Sequence, residues 1–195
     1  MLVGYFLFCE LPVTSIVGGV GFFIKKTISC KLRNDLKLIT TADVRIEDLW
    51  FDLIKDNRKY IIGGVYRHPN QSIDKFNLLE PNLCLISNMN VPCFIVGDIN
   101  IDLLKFSSST NIECYVNKLL IHNFLPTILL PTRITNRSIS LIDHIYYFQG
   151  RNNKKGFIVS SGNIFSDVSD HLPSFLLLSD NTTAPGRAKK NRPFH

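Results

Sequence analysis

The sequence predicts a layered sheet protein of the α/β or α+β class, and three observations predict it. Short apolar runs of strand length recur along the chain, and two segments between them have helical spacing. Hydrophobic residues make up 45% and charged residues 19% of the 195 residues, which is a globular composition. No internal repeat is visible, and this length suffices for one domain with its own core.

The first third of the chain is predicted to form two β-hairpins. One turn is expected over residues 12–19 and the other at Asp56-Asn57-Arg58, each between apolar runs. The predicted strands are residues 2–8, 20–24, 47–54 and 59–66. Residues 1–24 also imitate a secretory signal, which stays open as an alternative although Glu10 and Pro12 interrupt the run.

Helical periodicity begins at Ser72, where Ile73, Phe76, Leu79, Leu83 and Ile86 share one face and Ser72 is the expected N-cap. Pro81 predicts a kink or a restart within this helix. A second helix is expected over residues 111–122. The remaining predicted strands are residues 93–98, 140–148, 157–160 and 175–178.

Charge and cysteine content limit the functional classes only weakly. The formal net charge is +6, but the segment after Asp180 contributes four basic residues and no acid, which leaves 18 basic and 16 acidic residues for the body. We expect residues 180–195 to be a disordered basic tail.

The five cysteines have no metal-ligand spacing, so we interpret them as reduced core residues of an intracellular protein, nuclear or cytoplasmic.

The segment Gly97-Asp98-Ile99-Asn100 is the centre of the functional interpretation. It ends an apolar run, and Asp98 and Asn100 are two apart, so in a strand both side chains point the same way. By itself such a segment is more often a strand end with an Asx turn. Other predicted strand ends carry Tyr66-Arg67, Asp143-His144 and Asp170-His171, a set suited to metal-dependent hydrolysis of a phosphate ester.

Six ordered motifs resemble the endonuclease/exonuclease/phosphatase (DNase I-like) family, and most closely the endonuclease domain of non-LTR (LINE-type) retrotransposons. The resemblance covers residues 1–179 and implies a four-layer α/β sandwich and hydrolysis of DNA phosphodiesters with Mg²⁺ or Mn²⁺. It implies DNA as the partner, with no membrane and no obligate protein partner. The motifs are Gly18-Gly19-Val20-Gly21, Gly64-Val65-Tyr66-Arg67-His68-Pro69, Gly97-Asp98-Ile99-Asn100, Pro131-Thr132-Arg133, Ser140-Leu141-Ile142-Asp143-His144 and Ser169-Asp170-His171.

The resemblance also implies roles for individual residues. Asp98 would orient or deprotonate the attacking water, Asn100 would donate to the phosphate, and His171 would be an acid-base or phosphate-contacting group held by Asp143. Tyr66 would contact the phosphate and Asp170 would be a metal-side carboxylate. Further phosphate or DNA contacts are expected from Arg67, Thr132, Arg133 and Ser140, whereas His68 and His144 are expected to be structural or DNA-facing.

One part of the family pattern has no counterpart in the sequence. The family begins with a strand bearing an Asn and a strand bearing a metal-binding Glu, and neither Glu10 nor Glu47 matches that glutamate. We therefore expect an N-terminally truncated copy lacking the first strands, which would hold Mg²⁺ weakly. The alternative function is a non-catalytic retrotransposon-derived remnant with at most weak nucleic-acid binding.

Overall fold

The computed structural model describes residues 2–12, 18–39, 43–151 and 157–180. Two α-helices lie in this part of the chain, α1 (Glu80–Ser87) and α2 (Thr110–Ile121), and short 3-10 helices cover Asn34–Leu36, Ile73–Leu79 and Leu103–Ser108. The strands are β1 (Tyr5–Glu10), β2 (Val20–Lys25), β3 (Ser29–Leu32), β4 (Ile46–Lys55), β5 (Arg58–Arg67), β6 (Cys93–Asp98), β7 (Leu125–Pro126), β8 (Arg133–Ile134), β9 (Ile139–Ser140), β10 (Asp143–Phe148), β11 (Phe157–Asn163) and β12 (Ser174–Asp180).

A six-stranded mixed sheet in the order β3-β4-β5-β6-β10-β7 is the centre of the molecule. Strands β5 and β6 are parallel, while the other neighbouring pairs are antiparallel. The β4–β5 hairpin turns at Asp56 and Asn57, which adopt the left-handed backbone conformation that such tight turns require. This sheet confirms the predicted α/β layered class.

Helices cover one face of the sheet. The inward faces of α1 and α2 pack with apolar side chains of β4, β5, β6 and β10 in one large cluster that includes the fully buried Trp50, Ile61 and Tyr146. Pro81 lies at the start of α1, directly after the 3-10 helix, so the predicted restart at this proline is confirmed. No described helix has the length and apolar content needed to span a bilayer.

Two separate hairpins cover the opposite face. The β1–β2 hairpin packs on Leu49 and Phe51 of β4, and the β11–β12 hairpin lies further along the same face. A mainly apolar cavity of about 570 Å³ lies between the central sheet and the β11–β12 hairpin, lined by Ile62 of β5 and Leu176 of β12 among others. The described residues thus supply three of the four expected layers: helices, the central sheet and a second β layer in two parts.

Most predicted strands are present within a few residues of the expected bounds. The predicted strand over residues 140–148 is divided, because β9 ends at Ser140 and β10 begins at Asp143. Strands β3, β7 and β8 were not predicted, since they are short or polar. The predicted basic tail after Asp180 and most of the turn at residues 12–19 lie outside the described residues.

The cysteine interpretation needs a correction. All five thiols are free, but only Cys93 is buried, whereas Cys9, Cys84 and Cys114 are exposed. Cys84 and Cys114 occupy outward positions on α1 and α2, between the buried residues that face the sheet. The prediction that the cysteines are core residues is therefore wrong for three of them, because apolar neighbours in sequence do not fix which face of a helix or strand a side chain occupies.

Candidate active site

The Asp98 turn ends strand β6 at the rim of the sheet. Gly97 has φ +145°, and a Cβ atom there would lie 1.9 Å from the Val65 carbonyl oxygen of β5, so only glycine permits this approach. After the turn Asn100 adopts φ +53°, and its backbone N–H donates to Asp98 Oδ1 at 3.1 Å. The Asn100 amide donates to the Arg67 carbonyl at 2.8 Å, and the same side chain also interacts with the Asp98 carboxylate, whose pKa it lowers.

Asp98, Asp143 and His171 come together at this rim. Asp98 and Asp143 are direct cross-strand partners on β6 and β10, so their side chains share a face. His171 Nδ1 lies 3.1 Å and 3.0 Å from the two carboxylate oxygens of Asp143, which leaves its Nε2 for another partner. One potential ligand atom from each of the three residues lies within 4.8 Å of the others. A cavity of about 440 Å³ opens beside them.

The charges of Asp98 and Asp143 favour the binding of a cation. Burial, followed by the charge of Asp143, raises the pKa of Asp98 above its ordinary value, while His171 and the Asn100 N–H group oppose that shift. Two half-buried carboxylates side by side are costly when both are ionised. A cation between them would remove that cost.

Tyr66 and Glu47 extend the cluster across the sheet. Gly64 pairs with Val96, so the parallel register directs Tyr66 towards Asp98, and Tyr66 is the direct antiparallel partner of Glu47. Burial and then the charges of Asp98 and Glu47 raise the pKa of Tyr66. Four adjacent strands therefore place Glu47, Tyr66, Asp98 and Asp143 in one row.

Glu47 is a residue that the sequence analysis did not assign to the site. Its side chain is 8% exposed, and among the described residues its Oε2 has no hydrogen-bond partner. A Cβ atom on Gly18 would lie 3.0 Å from the Tyr66 ring and 3.4 Å from Glu47 Oε2, so the glycine backbone closes over both groups. Only the strand register reveals this neighbour of Tyr66, because 19 residues separate the two in sequence.

Arg67 and Thr132, both predicted phosphate contacts, occupy buried supporting positions. The Arg67 guanidinium donates to the carbonyls of Ile99 and Asn100, each at 2.7 Å, and to the carbonyl of Gln71. Thr132 Oγ1 accepts the N–H groups of Ile142 and Asp143 at 3.1 Å and 3.0 Å. Arg67 thereby holds the turn around Asp98 and Thr132 holds the start of β10.

Arg133, Ser140 and Asp170 lie on the exposed side of the rim. Arg133 Nε donates to Asp170 Oδ2 at 2.7 Å, which lowers the pKa of Asp170. Asp170, the predicted metal-side carboxylate, is outside the group of possible metal ligands found in the described part of the chain. Arg133 pairs with Ser140 across β8 and β9 and forms a β-bridge with His171.

His144 is structural in this arrangement. It is 3% exposed, its Nδ1 lies 3.0 Å from the Tyr115 hydroxyl, and its Nε2 lies 3.0 Å from the Ile101 carbonyl. His144 therefore ties β10 to α2 and to the loop that follows Asn100. His68 is half-buried beside Glu47 and accepts the Asn70 N–H at 3.3 Å.

No protein-family model matches the sequence, and no curated protein matches it either. Comparison with solved structures does find similar folds. The endonuclease domain of TRAS1, a telomere-specific non-LTR retrotransposon, is 11% identical with a TM-score of 0.64, and the match covers 91% of this chain and 80% of that one.

Two further structures illustrate the range of similar proteins. An endonuclease/exonuclease/phosphatase family protein from Bacteroides thetaiotaomicron is 16% identical with a TM-score of 0.59, over 93% of this chain and 75% of that one. D. rerio TDP2, complexed with single-stranded DNA product, is 13% identical with a TM-score of 0.58, over 87% and 75% of the two chains. These likenesses show that the chain has the DNase I-like fold of the endonuclease/exonuclease/phosphatase proteins.

Proposed function

We propose that this chain is a divalent-metal-dependent phosphodiesterase that nicks DNA. The observation that supports the proposal best is the convergence of Asp98, Asp143 and His171 within 4.8 Å at the rim of the central sheet. Two carboxylates and an imidazole held by one of them are the groups needed to activate water and to assist phosphodiester cleavage.

Each residue has a role that follows from its contacts. Asp98 orients the attacking water and accepts its proton as the new oxygen–phosphorus bond forms. The bond from phosphorus to the leaving sugar oxygen breaks in the same displacement, and that oxygen takes a proton from solvent. Asp143 fixes the ring of His171 through Nδ1, so that Nε2 faces the phosphate. The amide of Asn100 and the hydroxyl of Tyr66 donate to phosphoryl oxygens, where negative charge develops.

The donor set fits a divalent cation. Asp98 and Asp143 supply the carboxylate oxygen ligands that Mg²⁺ and Mn²⁺ prefer. Such an ion, when bound, stabilises the charge on the phosphoryl oxygens.

DNA is the proposed substrate because of what the similar structures are. TRAS1 is a retrotransposon endonuclease, and the TDP2 structure contains a DNA product. The exposed Arg133 beside His171 gives the rim a cationic group suited to a phosphate backbone.

The proposal is tested by incubating the purified protein with supercoiled plasmid and Mg²⁺. We expect relaxed, nicked circles from the wild-type protein and a loss of roughly a thousandfold or more in rate from Asp98→Ala, because the base and a metal ligand are removed together. Asp74→Ala, an exposed carboxylate in a 3-10 helix, is the matched control and should nick at the wild-type rate.

Two other outcomes would contradict the proposal. Nicking that is equal in the wild-type and Asp98→Ala proteins would assign the activity to a contaminant, and the protein would then be a non-catalytic nucleic-acid-binding remnant. Hydrolysis of a small phosphate monoester, with DNA left intact, would make the protein a phosphatase.

A further inference from the structure

Three short segments place Ser140, Arg133 and His171 side by side. Arg133 of β8 is the direct partner of Ser140 on β9 and, on its other side, forms an antiparallel bridge with His171. Directly opposed residues in antiparallel pairs project to the same face with Cβ atoms about 5 Å apart. A hydroxyl, a guanidinium and an imidazole therefore form a second row at the rim, here called the donor row (Arg133, Ser140, His171).

Each of the two basic members of the donor row is held by its own carboxylate. Asp143 accepts from His171 Nδ1, and Asp170 accepts from Arg133 Nε at 2.7 Å. Neither contact uses the outer nitrogens: His171 keeps Nε2, and the terminal nitrogens Nη1 and Nη2 of Arg133 lie outside its bond to Asp170. A guanidinium fixed at Nε presents those two nitrogens as a fork, which matches the geometry of two phosphate oxygens.

The contacts of Asp170 fit a role in holding Arg133 better than a role as a metal ligand. Its carboxylate is paired with Arg133, and it lies outside the group formed by Asp98, Asp143 and His171. The backbone supports the same pairing, because the Ile134 N–H donates to the Asp170 carbonyl at 2.9 Å and the Leu172 N–H donates to the Thr132 carbonyl at 2.7 Å. The segment around Asp170 is thus bound to β8, where Arg133 is located.

We propose that Asp170 is a positioning residue: its ion pair holds the Arg133 guanidinium so that Nη1 and Nη2 face the nucleic-acid backbone phosphate at the donor row. The inference rests on the proposed function, because it assigns a substrate subsite next to the Asp98 cluster. Unlike nicking, binding of DNA to the donor row needs neither a metal ion nor cleavage of a bond. Binding and nicking can therefore be tested separately.

The first test measures binding of a fluorescein-labelled DNA duplex by anisotropy in EDTA. We expect Arg133→Gln to weaken binding about tenfold, since a charge-assisted contact to phosphate is lost. Asp170→Asn should weaken it by a smaller factor of about three, although the variant removes a negative charge that repels DNA. Arg137→Gln is the matched control: it removes one exposed arginine from the adjacent turn and should change binding less than twofold.

Whether Asp170→Asn weakens or tightens DNA binding shows if Asp170 acts by orienting Arg133 or only through its negative charge. If only net charge mattered, removing this carboxylate would tighten DNA binding, and that result would overturn the positioning role. A loss in Arg133→Gln no larger than in Arg137→Gln would overturn the subsite, as would a wild-type protein that does not bind the duplex. Inorganic phosphate is then added as a competitor, with sodium chloride at the same ionic strength as the control. If phosphate displaces the duplex, the donor row is a general anion site. If it does not, the site requires the DNA backbone.

The second test measures Mn²⁺ binding to the protein alone by electron paramagnetic resonance. We expect Asp98→Asn to lower the affinity at least fivefold and Asp170→Asn to leave it unchanged. Loss of Mn²⁺ binding in Asp170→Asn would make this residue a metal ligand and refute the positioning role. The wild-type protein could fail to nick plasmid while the DNA-binding and Mn²⁺-binding results are as expected. The proposed function would then be refuted, and the proposal for Asp170 and the donor row would be supported.

Discussion

Glu47 shows at the scale of single residues how a group outside the sequence motifs can belong to the site. It is buried opposite Tyr66 in the sheet, and its Oε2 has no hydrogen-bond partner among the described residues. Burial raises its pKa, and the Gly19 N–H and the nearby His68 oppose that shift. A carboxylate in this position can influence the reaction through Tyr66.

A double-mutant cycle tests the link between Glu47 and Tyr66. We expect Glu47→Ala and Tyr66→Phe each to slow plasmid nicking and the double variant to be no slower than Tyr66→Phe, with a coupling energy of about 1 kcal/mol or more. Asp74→Ala combined with Tyr66→Phe is the control and should be additive. Additive effects of Glu47→Ala and Tyr66→Phe would show that Glu47 does not act through the tyrosine.

Thr132 carries a stability prediction at the same scale. Its Oγ1 is the acceptor for two buried backbone N–H groups at the start of β10, so Thr132→Val leaves both unsatisfied in nearly the same volume. We expect a loss of about 2–5 kcal/mol in the free energy of unfolding, measured with urea. The exposed Thr110→Val should lose less than about 0.5 kcal/mol, and a similar loss in both variants would contradict the assigned bonds.

At the scale of elements, the close approach of β6 to β5 decides where Asp98 lies. Gly97→Ala would force a Cβ atom against the Val65 carbonyl oxygen in a backbone conformation that side chains rarely adopt. We expect a loss of roughly 3 kcal/mol or more in unfolding free energy, together with loss of nicking. Gly21→Ala on β2, where the nearest atom would lie at 3.7 Å, is the control; equal losses would exclude the steric explanation.

The elements also show what the sequence could predict. Apolar runs and turn residues predicted β2, β4, β5 and β6 closely, because those signals are local. The two-residue strand β8 escaped prediction, since two residues carry no periodicity, and β9 was predicted only as the beginning of the strand over residues 140–148. The bridge between Arg133 of β8 and His171 is a tertiary effect, and it explains why Arg133 and Asp170 were predicted as separate contacts although they form one ion pair.

At the scale of the whole molecule, the buried His144 links the fold to pH. Burial lowers its pKa from 6.5 to about 4, with a smaller lowering from Arg67, while the Leu141 and Ile101 carbonyls and Asp102 oppose the shift. Because the unfolded chain takes up this proton near pH 6.5 and the folded protein does not, stability is full above pH 6.5 and falls as pH decreases towards 4. The loss amounts to roughly 3 kcal/mol.

Urea unfolding in EDTA between pH 7.5 and pH 4 measures this dependence. The His144→Gln variant should show a flatter profile than the wild-type protein, because the residue that takes up the proton on unfolding is absent. His122→Gln at the end of α2 is the control and should keep the wild-type slope. Parallel profiles for the His144→Gln and wild-type proteins would contradict the assignment.

The whole site was only partly predictable from sequence. The motifs indicated Asp98, Asp143 and His171, and the structure brings these three together from the ends of β6 and β10 and the segment before β12. Arg67 and Thr132 were expected to face phosphate, but their neighbours bury them, and burial depends on packing that no local pattern contains. Glu47 was set aside because its place beside Tyr66 exists only once β4 and β5 are in register.

The shortness of β8 and β9 has a consequence for motion. His171 and Arg133 are held by pairings of one or two residues on the exposed rim, whereas β4 and β5 pair over ten residues. Local opening of the rim should therefore cost much less free energy than global unfolding, and its amides should exchange with deuterium long before those of β5. Half of the candidate site would then assemble and disassemble many times during one lifetime of the folded sheet, and a bound phosphate that bridges His171 and Arg133 would slow that exchange.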